Sequence, residues 1–268
     1  MEFYDMHVHS QSSHDSVAPV KETAEACLNK GVSAFAVTDH CDIQYFDPKI
    51  VESSVTEANE TAQAYQGKVK VLVGIEIGEA IWDKSTAEKI LSKYDYDVVI
   101  SSVHAVRYGE YTDPYSTIDF SKMDINDLNA YVKTYFDEVL IMLKEIDFDV
   151  LAHFTCPFRY IVGKYRLDVD VRRYEEQIDK ILDCVVEKGI SLEINTSGVD
   201  TPFDTLMPEE WIVKRYRQKG GRYVTLGSDA HVSQNAAKGF DKAVSMLKSL
   251  GFDSYCYYEK RQKQFCKI

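Results

Sequence analysis

The sequence predicts an α/β fold in which seven parallel strands and their helices form one TIM-like barrel domain, residues 1–268. Two observations support this. Short β-rich runs alternate with segments of helical periodicity along the chain, and a polar residue stands where each run ends. A chain of 268 residues, 45% of them hydrophobic, can bury the core of such a barrel.

The elements follow from the spacing of apolar residues and from the residues that flank them. Strands are predicted at residues 3–7, 34–38, 69–75, 97–103, 148–153, 191–195 and 223–227. Helices are predicted at about 19–30, 48–66, 84–93, 124–146, 168–188, 208–219 and 234–250. In the fourth helix, the apolar face is formed by Val139, Leu140, Leu143 and Ile146. A last apolar segment, 254–258, predicts either an eighth strand or a strand that caps the barrel.

The position of the polar residues favours a barrel over an open sheet. Seven βα units in series imply parallel strands with right-handed crossovers, which both architectures allow. An open sheet concentrates its site at one switch point, whereas a barrel gathers residues from the carboxyl ends of all its strands. Here all seven ends contribute: His7 and His9, Asp39 and His40, Glu76, His104, His153, Asn195, and Asp229 with His231.

This set of side chains predicts a metal site. His7 and His9 lie two residues apart in a strand and therefore point to the same side, with Asp5 in line behind them. Asp39 and His40 are neighbours, so we expect one to face the cluster and the other to orient a ligand from behind. A single histidine is more often an ordinary hydrogen-bonded residue. So many imidazoles and carboxylates at one barrel mouth, however, would be poorly satisfied without metal.

Composition narrows the class of protein. The net charge of −12 argues against a nucleic-acid partner, and no apolar stretch reaches the roughly 20 residues that span a bilayer. The N-terminus lacks the pattern of a signal peptide. The six cysteines form no CxxC pair and are typical of reduced thiols. We therefore expect a cytoplasmic protein with a small-molecule substrate and no membrane partner, either a monomer or a homodimer.

The motifs resemble those of the polymerase-and-histidinol-phosphatase (PHP) superfamily of metal-dependent phosphoesterases. In order, they are His7-x-His9, Thr38-Asp39-His40, Glu76, His104, His153 and Ser228-Asp229-Ala230-His231. The single-domain length and the segment 192–198 (LEINTSG) look most like the histidinol-phosphate phosphatase branch. The resemblance implies a distorted (β/α)7 barrel and a centre of three divalent ions, which would be zinc, manganese or iron.

The resemblance also implies a ligand set. One ion would be bound by His7, His9, Glu76 and Asp229. A second ion would be bound by Glu76, His104 and His153. The third would be bound by His40, His231 and a residue of the loop after His9. Many relatives have a histidine eight residues after the first histidine of the motif, where this chain has Asp15. We choose Asp15 by spacing and keep the adjacent His14 as the alternative.

Such a centre implies phosphate-ester hydrolysis, because divalent ions about 3.5–4 Å apart activate a water and clamp the phosphoryl oxygens. The resemblance implies that the chain hydrolyses L-histidinol phosphate to L-histidinol and phosphate in histidine biosynthesis. We expect in-line attack on phosphorus by a hydroxide that bridges the metals. Two alternatives stay open. One is a PHP-type phosphoesterase acting on nucleotides (a 3′,5′-bisphosphate phosphatase or an exonuclease-like enzyme), and the other is a non-catalytic metal-binding module.

Further residues are candidates for binding the substrate and for catalysis. Arg159 is the candidate hydrogen-bond donor to the phosphate, because the N–H groups of a guanidinium match the geometry of phosphate oxygens. Asp42, two residues after His40, is the candidate general acid. Tyr111, in an aromatic loop that overhangs the mouth, would contact the imidazole and ammonium of the substrate. Asn195 and Ser197, at the end of the sixth predicted strand, are candidate substrate contacts.

Overall fold

The structure is a computed structural model that describes residues 2–268. Its strands are β1 (Phe3–Val8), β2 (Val32–Val37), β3 (His40–Asp42), β4 (Lys70–Gly78), β5 (Val98–Ser102), β6 (Val150–Leu151), β7 (Ser191–Asn195), β8 (Val224–Gly227), β9 (Ser254–Glu259) and β10 (Gln262–Lys267). Its α-helices are α1 (Val20–Lys30), α2 (Pro48–Ala64), α3 (Lys84–Leu91), α4 (Ile125–Glu145), α5 (Glu175–Lys188), α6 (Glu210–Gln218) and α7 (Phe240–Ser249).

Seven parallel strands form a nearly closed barrel in the order β1-β2-β4-β5-β6-β7-β8, and β3 adds to β4 at the mouth. The two end strands meet at their carboxyl ends. There the Asp229 N–H donates to the His7 carbonyl oxygen at 2.8 Å, and the His9 N–H donates to that of Ala230 at 3.0 Å. The predicted α/β barrel is therefore confirmed, and its seven predicted strands match the seven strands on this path to within a few residues.

Helix α4 shows how local sequence signals set the outer layer. It begins after Asp124, whose carboxylate accepts hydrogen bonds from the backbone N–H groups of Asn126 and Asp127. Such a cap satisfies amide groups that have no partner within the helix. The helix buries one apolar face, which includes Leu128, Tyr131, Val132, Tyr135, Phe136 and Val139. The spacing of these residues is the helical period on which the prediction rested.

The hairpin of β9 and β10 closes the amino-terminal end of the barrel. Tyr258 of β9 is fully buried and packs in an apolar cluster with inward-facing residues such as Met6, Leu72 and Ile100. Its hydroxyl donates to the Asp149 carbonyl oxygen at 3.0 Å and lies 2.8 Å from Ser191 Oγ. The segment 254–258 is therefore a capping strand rather than an eighth barrel strand.

Two further observations concern predicted partners. Within residues 2–268, no helix is both long enough and apolar enough to cross a bilayer. In the C-terminal hairpin, Tyr255 and Tyr258 are buried, whereas Phe265 is 58% exposed. The aromatic residues of this segment therefore pack mainly on the barrel. Whether the protein is a monomer or a homodimer stays a prediction.

Candidate metal centre

Glu76 lies at the centre of the barrel mouth. It belongs to β4, is wholly buried, and pairs in register with His40 of β3. Its Oε2 atom lies 2.7 Å from His40 Nδ1. The same oxygen lies 3.5 Å from His7 Nε2 and 3.6 Å from His9 Nε2. Three imidazoles from two other strands therefore surround one oxygen of this carboxylate.

The other oxygen of Glu76 faces a second pair of imidazoles. Its Oε1 atom lies 2.8 Å from His153 Nε2 and 3.2 Å from His104 Nε2. His153 and His104 are the second residues after the ends of β6 and β5. One carboxylate thus contacts five imidazoles, three through one oxygen and two through the other. Because the two oxygens face different groups, Glu76 has the geometry to bridge two ions.

Asp229, which follows β8, adds a second carboxylate beside His7 and His9. Its Oδ1 atom lies 3.2 Å from His9 Nε2, 3.8 Å from His7 Nε2 and 3.5 Å from His231 Nδ1. Asp229 has a φ of 52°, in the left-handed region that non-glycine residues seldom adopt. Such a backbone costs about 1–3 kcal/mol and is typical of functional sites. Here it directs the carboxylate at His7 of β1 and at His9, the residue after β1.

Asp15 spans the two remaining histidines. Its Oδ2 atom lies 3.3 Å from His231 Nε2, and its Oδ1 atom lies 3.6 Å from His40 Nε2. His14 is exposed, and the centre of its ring lies 5.5 Å from that of His40. The geometry therefore supports Asp15 over His14 as the loop ligand, although its role as a ligand stays a prediction.

The hydrogen bonds of His7 and His9 fix which ring nitrogen carries the proton. His7 Nδ1 lies 2.7 Å from Glu193 Oε1, and a carboxylate there only accepts. His9 Nδ1 lies 3.0 Å from Ser13 Oγ, whose own proton goes to Asp39 Oδ1 at 2.7 Å. Both protons are therefore on Nδ1. The two Nε2 atoms lie 3.0 Å apart, and a cation beside them would bind both.

The pair of His104 and His153 resembles the pair of His7 and His9, because their Nε2 atoms also lie close together. His104 Nδ1 lies 2.9 Å from Asp42 Oδ1, so its proton is also on Nδ1. Its Nε2 then faces His153 Nε2 at 3.3 Å. In addition, the buried Glu76 Oε2 has no well-aligned hydrogen bond. Imidazole and carboxylate donors with free lone pairs fit divalent ions such as zinc, manganese or iron.

The carboxylates and imidazoles of the centre change each other's pKa values. Burial lowers the pKa of His7 and of His104, but Glu193 and Glu76 raise that of His7 more, and Glu76 raises that of His104 more. Both pKa values therefore lie well above the ordinary value, and both rings would release a proton when metal binds. Burial lowers the pKa of His9 well below its ordinary value, and the neighbouring His40 and His231 lower it further. Burial raises the pKa of Glu76, but His104, His7 and His40 lower it more, so that it lies well below its usual range. A neutral imidazole and an ionised carboxylate are the forms that bind metal.

Two glycines make room for the carboxylates behind the imidazoles. A Cβ atom at Gly227 would lie 2.1 Å from Glu193 Oε1 and 2.8 Å from His7 Cβ. A Cβ atom at Gly78 would lie 2.1 Å from Asp42 Oδ1 and 3.2 Å from His104 Nδ1. In both places, the glycine lets the carboxylate of one strand reach the Nδ1 atom of a histidine on another. Both positions therefore require glycine for the existing contact.

The two aspartates predicted to lie behind the ligands hold the surrounding loops. Asp5 accepts hydrogen bonds from the Ser228 N–H at 2.9 Å and the Ala237 N–H at 2.8 Å, which fixes the chain beside Asp229. Burial raises the pKa of Asp5 to about 6. Asp39 accepts from the hydroxyls of three serines, Ser10, Ser13 and Ser54. Through Ser13 it acts on His9, whereas Asp5 contacts no ligand side chain.

Arg159, Ser197 and Asn195 form a hydrogen-bonded chain beside Asp229. Arg159 Nη1 donates to Ser197 Oγ at 3.0 Å, and Ser197 Oγ donates to Asn195 Oδ1 at 2.7 Å. Asn195 Nδ2 in turn lies 3.3 Å from Asp229 Oδ2. We call the cavity over the centre the central cleft. Arg159 lines it together with five histidines, which are His14, His40, His104, His153 and His231. These three predicted substrate contacts therefore lie together at the edge of the centre.

Comparison with known proteins identifies the family. The model of the PHP domain matches residues 5–197 of this chain. The chain belongs to the PHP domain family. A "Probable histidinol-phosphatase" of Thermotoga maritima is 29% identical over 250 residues, which cover 93% of each chain. One of Clostridium acetobutylicum is 27% identical over 265 residues, which cover 98% of this chain and 99% of the relative.

A solved structure confirms the fold of this PHP chain. It is the histidinol phosphate phosphatase HisK of Lactococcus lactis subsp. lactis, which was crystallised with zinc, L-histidinol and phosphate. The TM-score is 0.80 at 20% sequence identity, and the alignment covers 98% of this chain and 100% of the other. At this level of identity, the likeness establishes the distorted barrel architecture.

One predicted substrate contact of the PHP chain lies outside the central cleft, and its role stays a prediction. Tyr111 does not line the central cleft, because Tyr108 and Tyr111 pair with each other and the Tyr108 hydroxyl donates to Asp127 Oδ1 at 2.8 Å. This contact holds both tyrosines against α4. Tyr115 lines the cleft instead, and its backbone N–H donates to the His104 carbonyl oxygen at 2.8 Å.

Two other residues behave differently from the sequence reading. Asp42, the predicted general acid, has its Oδ1 atom on His104 Nδ1, so it orients that ring, and its role as an acid stays a prediction. Glu193, which orients His7, was missed. It lies two residues before Asn195 on β7 and so faces the same side, which is the signal that would have found it.

Proposed function

We propose that this PHP chain is a metal-dependent phosphatase that hydrolyses L-histidinol phosphate to L-histidinol and phosphate. The observation that carries the proposal is the buried carboxylate of Glu76 in contact with five imidazoles at the barrel mouth. The names of the two relatives, which align over nearly the whole chain, support the choice of substrate.

We also propose that the centre holds three divalent ions of zinc, manganese or iron. His7, His9, Glu76 and Asp229 would hold the first ion. Glu76, His104 and His153 would hold the second, and His40, His231 and Asp15 the third. When bound, such ions lower the pKa of a water and neutralise charge on phosphoryl oxygens.

The residues around the ligands have separate tasks. Glu193, Ser13 and Asp42 each occupy the Nδ1 atom of one histidine, so Nε2 is free to bind metal. Arg159 would donate to the phosphate, since its guanidinium lies at the edge of the cleft and can form two parallel hydrogen bonds. Ser197 holds the guanidinium in place.

The test is the initial rate of phosphate release from L-histidinol phosphate by protein loaded with zinc or manganese. Glycerol 3-phosphate and a phosphodiester serve as comparators. We expect a kcat/KM of about 10⁴ M⁻¹s⁻¹ or above, and at least about 100-fold above either comparator. Equal turnover of all three esters would contradict the proposed substrate, and no turnover of any would contradict the phosphatase.

The state of assembly and the location belong to the same proposal. We propose a monomer or a homodimer, which size-exclusion chromatography with light scattering would distinguish. The cytoplasmic location stays a prediction, and the six free cysteines are in keeping with it.

A further inference from the structure

A second cavity adjoins the metal centre on the side of β3. We call it the side pocket and define it by Tyr45, Phe46, Asp47, Ile50, Asp113 and Pro114. His40 and Asp42 line both the side pocket and the central cleft. The two cavities are therefore adjacent, and these two residues form part of the wall of each.

The side pocket exposes apolar side chains that a folded chain normally covers. Tyr45 is 59% exposed and Ile50 is 39% exposed, and both face this cavity. Tyr45 ends a 3₁₀ turn that follows β3 directly, and Ile50 is in the first turn of α2. Regular elements thus hold both of them beside the centre. A preformed apolar cavity with a few polar groups is typical of a small-molecule site.

Among residues 2–268, the side pocket is lined by carboxylates and by no lysine or arginine, whereas another cavity beside the centre is lined by both cations and carboxylates. Asp42, Asp47 and Asp113 line the side pocket. The other cavity is lined by Arg159 and Lys238, by hydroxyl groups of the loops after β7 and β8, and by the carboxylates of Asp15 and Asp229. Burial raises the pKa of Tyr45, and the charges of Asp113 and Asp42 raise it further, so both carboxylates act on this ring. The side pocket therefore favours a positively charged group over an anionic one.

We infer that the side pocket binds the alcohol part of the phosphate ester and selects an alcohol that carries both a flat aromatic ring and a positively charged amine. The ring of Tyr45 would stack on the aromatic group, and the carboxylate of Asp113 would pair with the cation. This inference rests on the proposed function, because histidinol carries such a ring, its imidazole, and such an amine, its ammonium. The same acidic walls would repel the second phosphate of a nucleotide bisphosphate.

The test compares L-histidinol phosphate with glycerol 3-phosphate, whose alcohol part is neutral. We expect Asp113→Asn to reduce the ratio of the two kcat/KM values about fivefold, mainly through KM for L-histidinol phosphate. We expect Tyr45→Ala to reduce this ratio about tenfold and Tyr45→Phe, which keeps the ring, to restore it. Glu110→Gln is the matched control, since Glu110 is exposed on the same loop but does not line the side pocket.

A binding measurement provides a readout that does not depend on turnover. Calorimetric titration of the unaltered protein and Asp113→Asn with L-histidinol should show about fivefold weaker binding to the variant. A selectivity ratio and an affinity that both stay unchanged in Asp113→Asn and Tyr45→Ala would overturn the inference. Equal losses on both esters would also overturn it. If the unaltered protein itself does not prefer L-histidinol phosphate, the proposed function fails, and with it the occupant assigned here.

Discussion

The two ends of the barrel use the same strands in different ways. At the carboxyl ends, five imidazoles surround one buried carboxylate, and Asp229 and His153 have positive φ angles of 52° and 23°. At the amino ends, the hairpin of β9 and β10 covers the barrel, and Tyr258 packs in its apolar interior. One end thus concentrates polar groups and backbone strain, and the other concentrates apolar contact.

The difference teaches how this chain separates function from stability. Apolar burial stabilises by about 25 cal/mol per Å², and the interior near Tyr258 is apolar. Each polar group buried at the mouth costs free energy unless it is paired. Since the two regions share strands but not contacts, substitutions at the mouth should change metal binding and turnover. Substitutions at the closed end should change the free energy of unfolding.

The largest effect is expected for Glu76→Gln. An amide cannot replace the negative charge that faces five imidazoles, so we expect at least about a 10⁴-fold loss of phosphate release, which is about 5 kcal/mol. The bound metal should fall at the same time, as measured by atomic absorption after dialysis.

A matched control separates burial from chemistry. Glu138 is also a buried carboxylate, but it accepts hydrogen bonds from Trp82 Nε1 and the Arg107 N–H, away from the centre. We expect Glu138→Gln to lower the thermal midpoint and to leave the metal content unchanged. Full metal content in Glu76→Gln would show that this carboxylate is not a ligand.

The next effect should appear at the other end of the barrel. Tyr258→Ala removes a fully buried ring and its two hydrogen bonds, so we expect a loss of about 4 kcal/mol in the free energy of unfolding. The folded variant should keep its metal and its kcat. Tyr257→Ala is the control, because Tyr257 is half-buried and stacks only on Tyr4 at the edge. Loss of metal in folded Tyr258→Ala would show that the two ends are coupled.

Much of the fold could be predicted, because the strands are apolar runs and the helices have one apolar face. Two strands were missed for identifiable reasons. β3 has only three residues, and two of them, His40 and Asp42, are polar. β10 follows a turn at Lys260 and Arg261, which have φ angles of 50° and 59°. Hairpin turns of this kind usually contain Asn or Gly, so the sequence gives no turn signal here.

The histidines of the centre could be placed at one mouth because strand ends and two-residue spacing are visible in the sequence. The carboxylates that orient these histidines could not be predicted in the same way. Glu193 lies within a short run that reads only as a strand. The contact of Asp42 with His104 depends on how β3 adds to β4. The position of Tyr111 depends on the folding of a long loop, and sequence periodicity says nothing about such loops.

A smaller effect on both properties is expected for Gly227→Ala. The added methyl group would meet Glu193 Oε1 and His7 Cβ, so we expect a loss of about 2 kcal/mol in stability. Displacement of Glu193 should also lower metal affinity about 10- to 100-fold. Gly67→Ala is the control: Gly67 has a φ of +76° and no neighbour within 4 Å. In Gly67→Ala, backbone strain alone should lower the free energy of unfolding by about 1 kcal/mol. Its metal affinity should stay unchanged.

The smallest effect should decide between two adjacent residues at the rim. Both residues are exposed, but Asp15 contacts both His40 and His231, whereas the ring of His14 approaches only that of His40, at 5.5 Å between ring centres. We expect Asp15→Ala to weaken one of the bound ions about tenfold, because one ligand of the most exposed site is lost. His14→Ala should leave the affinity unchanged. The metal affinity of both variants can be measured by competition with a chelator. The opposite order would place His14 at the third ion, and it would mean that the loop after His9 rearranges when metal binds.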